Sequence, residues 1–144
     1  MLYMTLFNSI LVGAVILIHF AVLTFLSQGL HKLNLKPQYQ ILVSVFTILW
    51  THIVEIWLFA FGYYLMINLE SLGLGTLAGH TDQSLLDCSY FSFTTYTTVG
   101  LGDIYPVGEL RFLAALESLT GFLLITWSAS YIFIEMQRHW PRKI

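Results

Sequence analysis

Thr97-Thr98-Val99-Gly100-Leu101-Gly102-Asp103 places two glycines at alternate positions beside bulky apolar residues. Glycine adopts positive φ angles that other residues avoid, so this alternation predicts an irregular backbone whose carbonyl groups face one side. A row of such oxygens can replace the water around a potassium ion, and the Thr98 hydroxyl adds one further oxygen. We expect Val99 and Leu101 to point back into a supporting wall and Asp103 to close the outer lip.

The chain is too apolar for a soluble globule, since 57% of its 144 residues are hydrophobic and 10% are charged. Three apolar segments run from Met1 to Leu30, from Ile41 to Leu69 and from Phe112 to Ile134. Each exceeds the roughly 20 residues that a helix needs to cross a bilayer. The first segment lacks the basic start of a signal peptide. We therefore predict three membrane-spanning helices.

The segment that carries the motif is too short to cross the membrane between the second and third spans. Its glycines and Pro106 are expected to break any regular helix or strand between residues 99 and 106. Irregular backbone survives at membrane depth only where protein surrounds it or where it lines a water-filled cavity. We therefore predict a re-entrant segment. Four such segments would enclose an axial path, and because each chain has one, a homotetramer is expected.

Positive charge lies mostly on one side of the predicted spans. Five of the six Lys and Arg residues fall in the first loop or near the C-terminus, namely Lys32, Lys36, Arg138, Arg142 and Lys143. The positive-inside rule places both regions in the cytosol. We predict a multi-pass protein of the plasma membrane, in contact with its lipids, with the N-terminus and the re-entrant segment outside and the C-terminus cytosolic.

Several function classes are excluded by composition. The net charge of -2 provides no basic field for a nucleic-acid partner. Cys88 is the one cysteine, so an intrachain disulfide and a CxxC site are excluded. The first two spans carry no ladder of Arg or Lys residues, which excludes an arginine-rich voltage sensor. We expect neither an enzyme nor a cofactor.

Residues 93–103, Phe-Thr-Thr-Tyr-Thr-Thr-Val-Gly-Leu-Gly-Asp, closely resemble the pore segment of the tetrameric potassium channels, whose filter motif is TVGYG. The resemblance covers roughly residues 85–136. It implies an all-α membrane protein with three transmembrane helices, a re-entrant pore helix and a selectivity filter, assembled as a tetramer around a central pore. It further implies passive conduction of K⁺, coordinated in the filter by Thr98, Val99, Gly100, Leu101 and Gly102. Gly121 then occupies the position of a gating hinge.

The resemblance also implies the organisation of the chain. Residues 1–30 form an extra N-terminal helix, 31–40 a cytosolic loop, 41–136 the pore domain and 137–144 a short cytosolic tail. Within the pore domain the predicted parts are an outer helix (41–69), an outer loop (70–84), a pore helix (85–97), the filter (98–103) and an inner helix (110–136).

Leu101 departs from the family pattern, because most members have tyrosine at this position. A similar TVGLGD occurs in the second pore of two-pore-domain potassium channels, so potassium selectivity is still implied. Leucine lacks the hydroxyl that braces the filter from behind, and a weakly selective cation channel is therefore the alternative. We expect the filter to be supported by Asp103, Thr97, Tyr90 and Tyr96.

Ionisable residues within predicted spans are costly and are candidates for function. At 1.5 Å per residue, His19 and His52 lie about 14 and 17 Å from the cytosolic ends of their spans, so the two side chains can meet. With Glu55 they form either a buried hydrogen-bonded cluster that fastens the first helix or a proton or metal sensor. A membrane metal-binding protein or transporter that uses these three residues is the alternative from another class, and an auxiliary subunit of another channel is a third.

Glu117 lies one turn before Gly121 on the third span. Two interpretations are open, a pairing with a hydroxyl of the pore helix and a role in gating the filter. In the second interpretation Glu117 is the fourth candidate of the sensor cluster, with His19, His52 and Glu55.

Overall fold

The computed structural model describes residues 2–29, 36–68 and 75–139, which are mostly helical. Its elements follow in the order α1 (Leu2–Gly29), α2 (Pro37–Asn68), β1 (Gly75–Gly79), α3 (Leu85–Tyr96), β2 (Ile104–Gly108) and α4 (Leu110–His139). Proline is favoured in the first turn of a helix, where its missing N–H removes no bond, and α2 begins at Pro37.

Three of these helices are long and apolar enough to cross a membrane, over Tyr3–Gly29, Pro37–Asn68 and Leu110–Arg138. They also expose large apolar side chains, among them Phe25, Trp50 and Phe112. A lipid environment accommodates such exposure, whereas water does not. The predicted fold class, a helical membrane protein with three spans, is confirmed.

The relative directions of the spans follow from two groups of contacts. Near one end, a Cβ added to Gly62 of α2 would lie 2.8 Å from Leu11 of α1. Near the other end, Leu26 of α1 and Ile48 of α2 share a core cluster that Tyr131 of α4 covers. Helices α1 and α2 are therefore antiparallel, and α4 runs in the same direction as α1.

This arrangement places Lys36, before α2, and Arg138, at the end of α4, at the same end of the bundle. Lys32, Arg142 and Lys143 lie outside the described residues. The opposite end carries Asp82, Asp87, Asp103 and Glu109 around the strands and the start of α3.

Helix α3 begins with a capping box. The Ser84 hydroxyl accepts from the Asp87 amide at 3.2 Å, and the Asp87 carboxylate accepts from the Ser84 amide at 3.2 Å. The same carboxylate accepts from the Thr81 hydroxyl at 3.1 Å and the Asp82 amide at 2.9 Å. Slight desolvation raises the pKa of Asp87, but these hydrogen bonds outweigh it and lower the pKa. The predicted pore helix ended at residue 97; α3 ends at Tyr96, and Thr97 caps it.

Strands β1 and β2 form an antiparallel ribbon in which Gly75 pairs with Gly108 and Gly79 with Ile104. The prediction of a loop over 70–84 is therefore wrong for residues 75–79, and the prediction that Pro106 prevents a strand is also wrong. In a two-stranded ribbon both strands are edges, so proline can face outward without breaking a ladder bond. Gly73 and Leu74, the start of a second Gly-Leu-Gly motif, lie outside the described residues.

Candidate functional site

The segment between α3 and β2 has an alternating backbone. Positive φ angles occur at Thr98 (60°), Gly100 (54°) and Gly102 (82°), which are every second residue. The two glycines adopt this conformation at low cost, as predicted. Thr98 was not expected to share it, because a β-branched residue is strained at positive φ.

The end of α3 holds this segment through main-chain hydrogen bonds. The Gly100 amide donates to the Thr94 carbonyl at 3.0 Å, and the Thr98 amide donates to the Thr95 carbonyl at 3.0 Å. The Thr97 hydroxyl, predicted as a support, donates to the Phe93 carbonyl at 2.7 Å. The last carbonyls of a helix have no partner within it, so here they serve to fix the segment that follows.

The far end of the segment is in contact with Tyr90, one of the predicted supports. Its hydroxyl donates to Asp103 Oδ2 at 2.8 Å, and the His80 amide donates to the Asp103 carbonyl at 3.1 Å. The hydrogen bond from Tyr90 lowers the pKa of Asp103, and the same bond raises the pKa of Tyr90.

The side chains of Val99 and Leu101 do not lie against a wall of their own chain. They are 61% and 64% exposed, contrary to the expectation from sequence. Beside the segment is a groove of about 370 Å³, lined by α3, by the small α4 residues Ala114 and Ala115, and by Thr98 and the two glycines. Any wall for Val99 and Leu101 must come from outside this chain.

Tyr96, also predicted to brace the segment, turns instead toward the other helices. Its hydroxyl donates to Glu55 Oε2 at 2.5 Å and lies 2.9 Å from His52 Nδ1. It therefore fastens the end of α3 to the middle of α2, two residues before Thr98.

Three of the four residues predicted as a sensor cluster, His19, His52 and Glu55, come together, whereas the fourth, Glu117, bonds to Tyr63 and Ser92 instead. His19 Nδ1 lies 2.9 Å from Glu55 Oε1, and His52 Nδ1 lies 3.0 Å from Glu55 Oε2. Sequence reasoning missed two further members, Tyr96 and Ser128. The hydroxyl oxygen of Ser128 lies 3.2 Å from Nε2 of each histidine. We call these five residues the polar cluster. A serine in an apolar helix was the available signal, but its register toward α1 and α2 depends on packing.

The polar cluster has the geometry of hydrogen bonds rather than that of a closed metal site. The nitrogen and oxygen atoms of the two histidines and Glu55 lie within 4.8 Å of one another. Ligands bound to one zinc ion at 2.0–2.1 Å are at most about 4.2 Å apart, so an upper limit of 4.8 Å neither requires nor excludes an ion. Both Nδ1 atoms, however, are already paired with the carboxylate.

Glu117 is fully buried and contacts a hydroxyl of α3, the kind of partner that one of its two interpretations predicts. The Ser92 hydroxyl bonds to Glu117 Oε1, and the Tyr63 hydroxyl donates to Oε2 at 2.6 Å. Ser92 also lies 2.8 Å from the Ile56 carbonyl. The pair thus joins α2, α3 and α4 on the side of α3 away from the exposed segment.

Gly121, predicted as a hinge, marks a close approach between α4 and the end of α3. A Cβ at this position would collide with the Tyr96 carbonyl and would lie 2.9 Å from Tyr96 Cγ. Packing alone therefore requires glycine here, whatever the motion of the helix.

Comparison with known proteins adds a family to this geometry. No curated protein and no solved structure matches the chain. The model of a family described as an ion channel matches residues 9–138, which include α3, the alternating segment and nearly all of the three spans. The chain belongs to this ion channel family.

Proposed function

We propose that the protein is a potassium-selective channel that conducts K⁺ passively through a homotetrameric pore. The observation that carries the proposal is the alternation of positive φ at Thr98, Gly100 and Gly102. Such an alternation supports the proposal because a filter needs a backbone that turns successive carbonyls toward one side, here those of residues 98–102. The resemblance of residues 93–103 to potassium-channel pores supports the same ion.

The proposal of four subunits is supported by the geometry of the segment and by the resemblance to tetrameric potassium channels. One chain supplies one row of oxygens, which cannot surround an ion. The exposed Val99 and Leu101 give each subunit an apolar projection, and the neighbouring groove gives it a recess lined by both apolar and hydroxyl side chains. In a ring of four copies, each recess can receive the projection of the next copy.

Orientation is proposed from charge. Lys36 and Arg138 mark the cytosolic end, and the acidic end with the β-ribbon faces outward in the plasma membrane. The N-terminus is then outside and the C-terminus inside. The acidic residues at the outer mouth raise the local concentration of cations. The protein is not an enzyme, requires no cofactor and has K⁺ as its transported ion.

A weakly selective cation channel is the second candidate, and Leu101 favours it. Its side chain has no hydroxyl and is 64% exposed in its own chain, so it cannot brace the filter by a hydrogen bond. The Tyr90–Asp103 bond opposes this candidate because it supports the filter from the same subunit.

The test is the reversal potential of the purified protein in a planar bilayer under opposed K⁺ and Na⁺ gradients. A value near the potassium equilibrium potential supports the proposal, and a value near zero with clear current supports the weakly selective channel. Absence of current from assembled tetramers would refute both. Flux that disappears on chelation of divalent metals would favour the metal transporter.

Gly100→Ala tests the filter assignment within the same assay. A Cβ at Gly100 meets open space, so the variant is expected to fold, but it strains the backbone at φ 54° by about 1–2 kcal/mol. We expect the K⁺ current to be abolished. Gly13→Ala is the matched control, because Gly13 on α1 also has nothing within 4 Å of an added Cβ. Unchanged selectivity and current in Gly100→Ala tetramers would contradict the assignment.

A further inference from the structure

Four members of the polar cluster close into a ring. Glu55 Oε1 meets His19 Nδ1 at 2.9 Å, and His19 Nε2 meets Ser128 Oγ at 3.2 Å. Ser128 Oγ meets His52 Nε2 at 3.2 Å, and His52 Nδ1 returns to Glu55 Oε2 at 3.0 Å. Each of the four contacts has the length of a hydrogen bond, so each requires one proton between its two atoms.

Counting protons shows that the ring is complete in one protonation state. An ionised Glu55 supplies no proton, each neutral histidine supplies one and Ser128 supplies one, which leaves one of the four contacts without a proton. One additional proton fills the ring. The hydroxyls of Thr126 and Ser130 donate to backbone carbonyls one turn earlier, whereas the Ser128 hydroxyl lies between the two histidines.

Charge leads to the same state. Glu55 is fully buried and His19 is 1% exposed, in the middle of spans where an uncompensated charge is costly. With the additional proton the ring is neutral as a whole, whether the proton lies on a histidine or on Glu55. We infer that this ring is an intramembrane proton-binding site that holds one proton and thereby ties α4 to both α1 and α2.

The surroundings are consistent with a shared positive charge near His19. The Trp127 ring of α4 has its centroid 5.6 Å from that of His19, within the range of a cation–π interaction. Tyr96 of α3 donates to Glu55 from the fourth side. The other charged groups of the described spans lie on α4 and are engaged elsewhere. Glu117 pairs with Tyr63, Arg111 with the Pro106 carbonyl at 3.4 Å, and Glu135 with Arg138 at 2.8 Å.

Loss of the proton has a defined mechanical effect. The Tyr96 hydroxyl lies 2.9 Å from His52 Nδ1, so the histidine tautomers decide which contact fails. Where both Nδ1 atoms keep their protons toward the carboxylate, the contact that fails is one of the two at Ser128. Helix α4 is then released from either α1 or α2. The proton site does not depend on the proposed function. Its effect on conduction does rest on that function, because the effect acts through α4 and through the link between Tyr96 and the filter.

The site is tested by nuclear magnetic resonance of ¹⁵N-histidine in the full chain reconstituted in lipid vesicles. His31, His80 and His139 are replaced by Gln so that only the ring reports, and infrared difference spectra follow the Glu55 carboxyl. At pH 7 we expect the ring to hold one proton more than it would hold with Glu55 ionised and both histidines neutral. In Glu55→Gln the midpoint of proton release should fall by at least about one pH unit, a tenfold weaker affinity, because the partner charge is gone.

Ser128→Ala and Ser130→Ala form the matched pair on α4. Alanine at 128 removes the closing contacts, so the midpoint should again fall, while the exposed Ser130→Ala should titrate like the parent chain. Two neutral histidines beside an ionised Glu55 at pH 7 would overturn the site. So would ring resonances that shift on addition of Zn²⁺ alone and return on chelation, since that result would indicate a metal site.

The effect on conduction is measured as K⁺ flux into the same vesicles across the titration range. For the chain with native histidines, we expect K⁺ flux to change with pH at the same midpoint that resonance gives. Ser130→Ala should show the same pH dependence of flux, and Ser128→Ala should not. A flat flux beside an intact proton site would refute the link to conduction. Vesicles without any flux would refute the proposed channel while the resonance experiment still decides the site.

Discussion

Gly121→Ala is the substitution that separates packing from hinge motion at the crossing of α4 and α3. The added Cβ would collide with the Tyr96 carbonyl, a main-chain atom near the end of α3, and would lie 2.9 Å from Tyr96 Cγ. Ordinary contact begins at 3.4 Å, so relieving the contact with Cγ alone takes about 0.5 Å, and relieving the closer contact with the carbonyl oxygen takes more. The Tyr96 side chain cannot move away freely because it is buried and bonded to Glu55.

The expected cost follows from overpacking. Extra atoms in a well-packed core cost about 1–3 kcal/mol, and the gain of helix propensity on replacing glycine by alanine offsets about 0.5–1 kcal/mol of this. We expect a net destabilisation of roughly 1–2 kcal/mol, together with lower flux because the displaced carbonyl lies two residues before Thr98.

Thermal unfolding of the purified protein, followed alongside K⁺ flux in vesicles, is the assay. Gly13→Ala is the control, since it adds the same atom to an apolar helix without a contact and is expected to be neutral or slightly stabilising. Unchanged unfolding of Gly121→Ala, with an altered flux, would refute the packing argument and favour a hinge.

Two further substitutions test the contacts around α3. Glu117→Gln should preserve stability because an amide can still pair with Tyr63 and Ser92. Glu117→Ala should lose about 1–3 kcal/mol, because it leaves the Tyr63 hydroxyl without a partner while Ser92 keeps the Ile56 carbonyl; equal unfolding temperatures would contradict this. Tyr90→Phe should raise the pKa of Asp103 toward its usual value, since the bond that lowers it is lost. The ionised form of Asp103 stabilises the protein above the usual pKa. During acidification the variant therefore loses this form at a higher pH than the parent chain does. The onset of acid inhibition from the outer side checks this, with the exposed Tyr105→Phe as control; the same onset in both would argue against the brace.

How far the fold could be predicted depends on the range of the interactions. The three spans follow from hydropathy, and the freedom of Gly100 and Gly102 follows from residue type. The β-ribbon could not be predicted in this way, because β1 and β2 are separated by α3 and pair only after that helix has folded back. Glycine at its ends and proline within it pointed to loops.

The same limit applies to side chains in the membrane. That His19, His52 and Glu55 meet followed from their depth in antiparallel helices. The orientation of Tyr96 away from the filter and the entry of Ser128 into the cluster depend on helix rotation, which an evenly apolar sequence does not specify.

The β-ribbon has a consequence for how the outer mouth comes apart. Gly79 pairs with Ile104, so main-chain hydrogen bonds hold together the two ends of residues 80–103. This loop contains α3 and the filter segment, and the ribbon closes it as a disulfide closes a loop in other proteins. Because its ends are held together, the loop can gain little conformational entropy unless the ribbon itself opens. The ribbon, α3 and the filter segment therefore form one cooperative unit, whose amides exchange with solvent together. The four residues of the ring lie on α1, α2 and α4, so they can rearrange without opening the mouth.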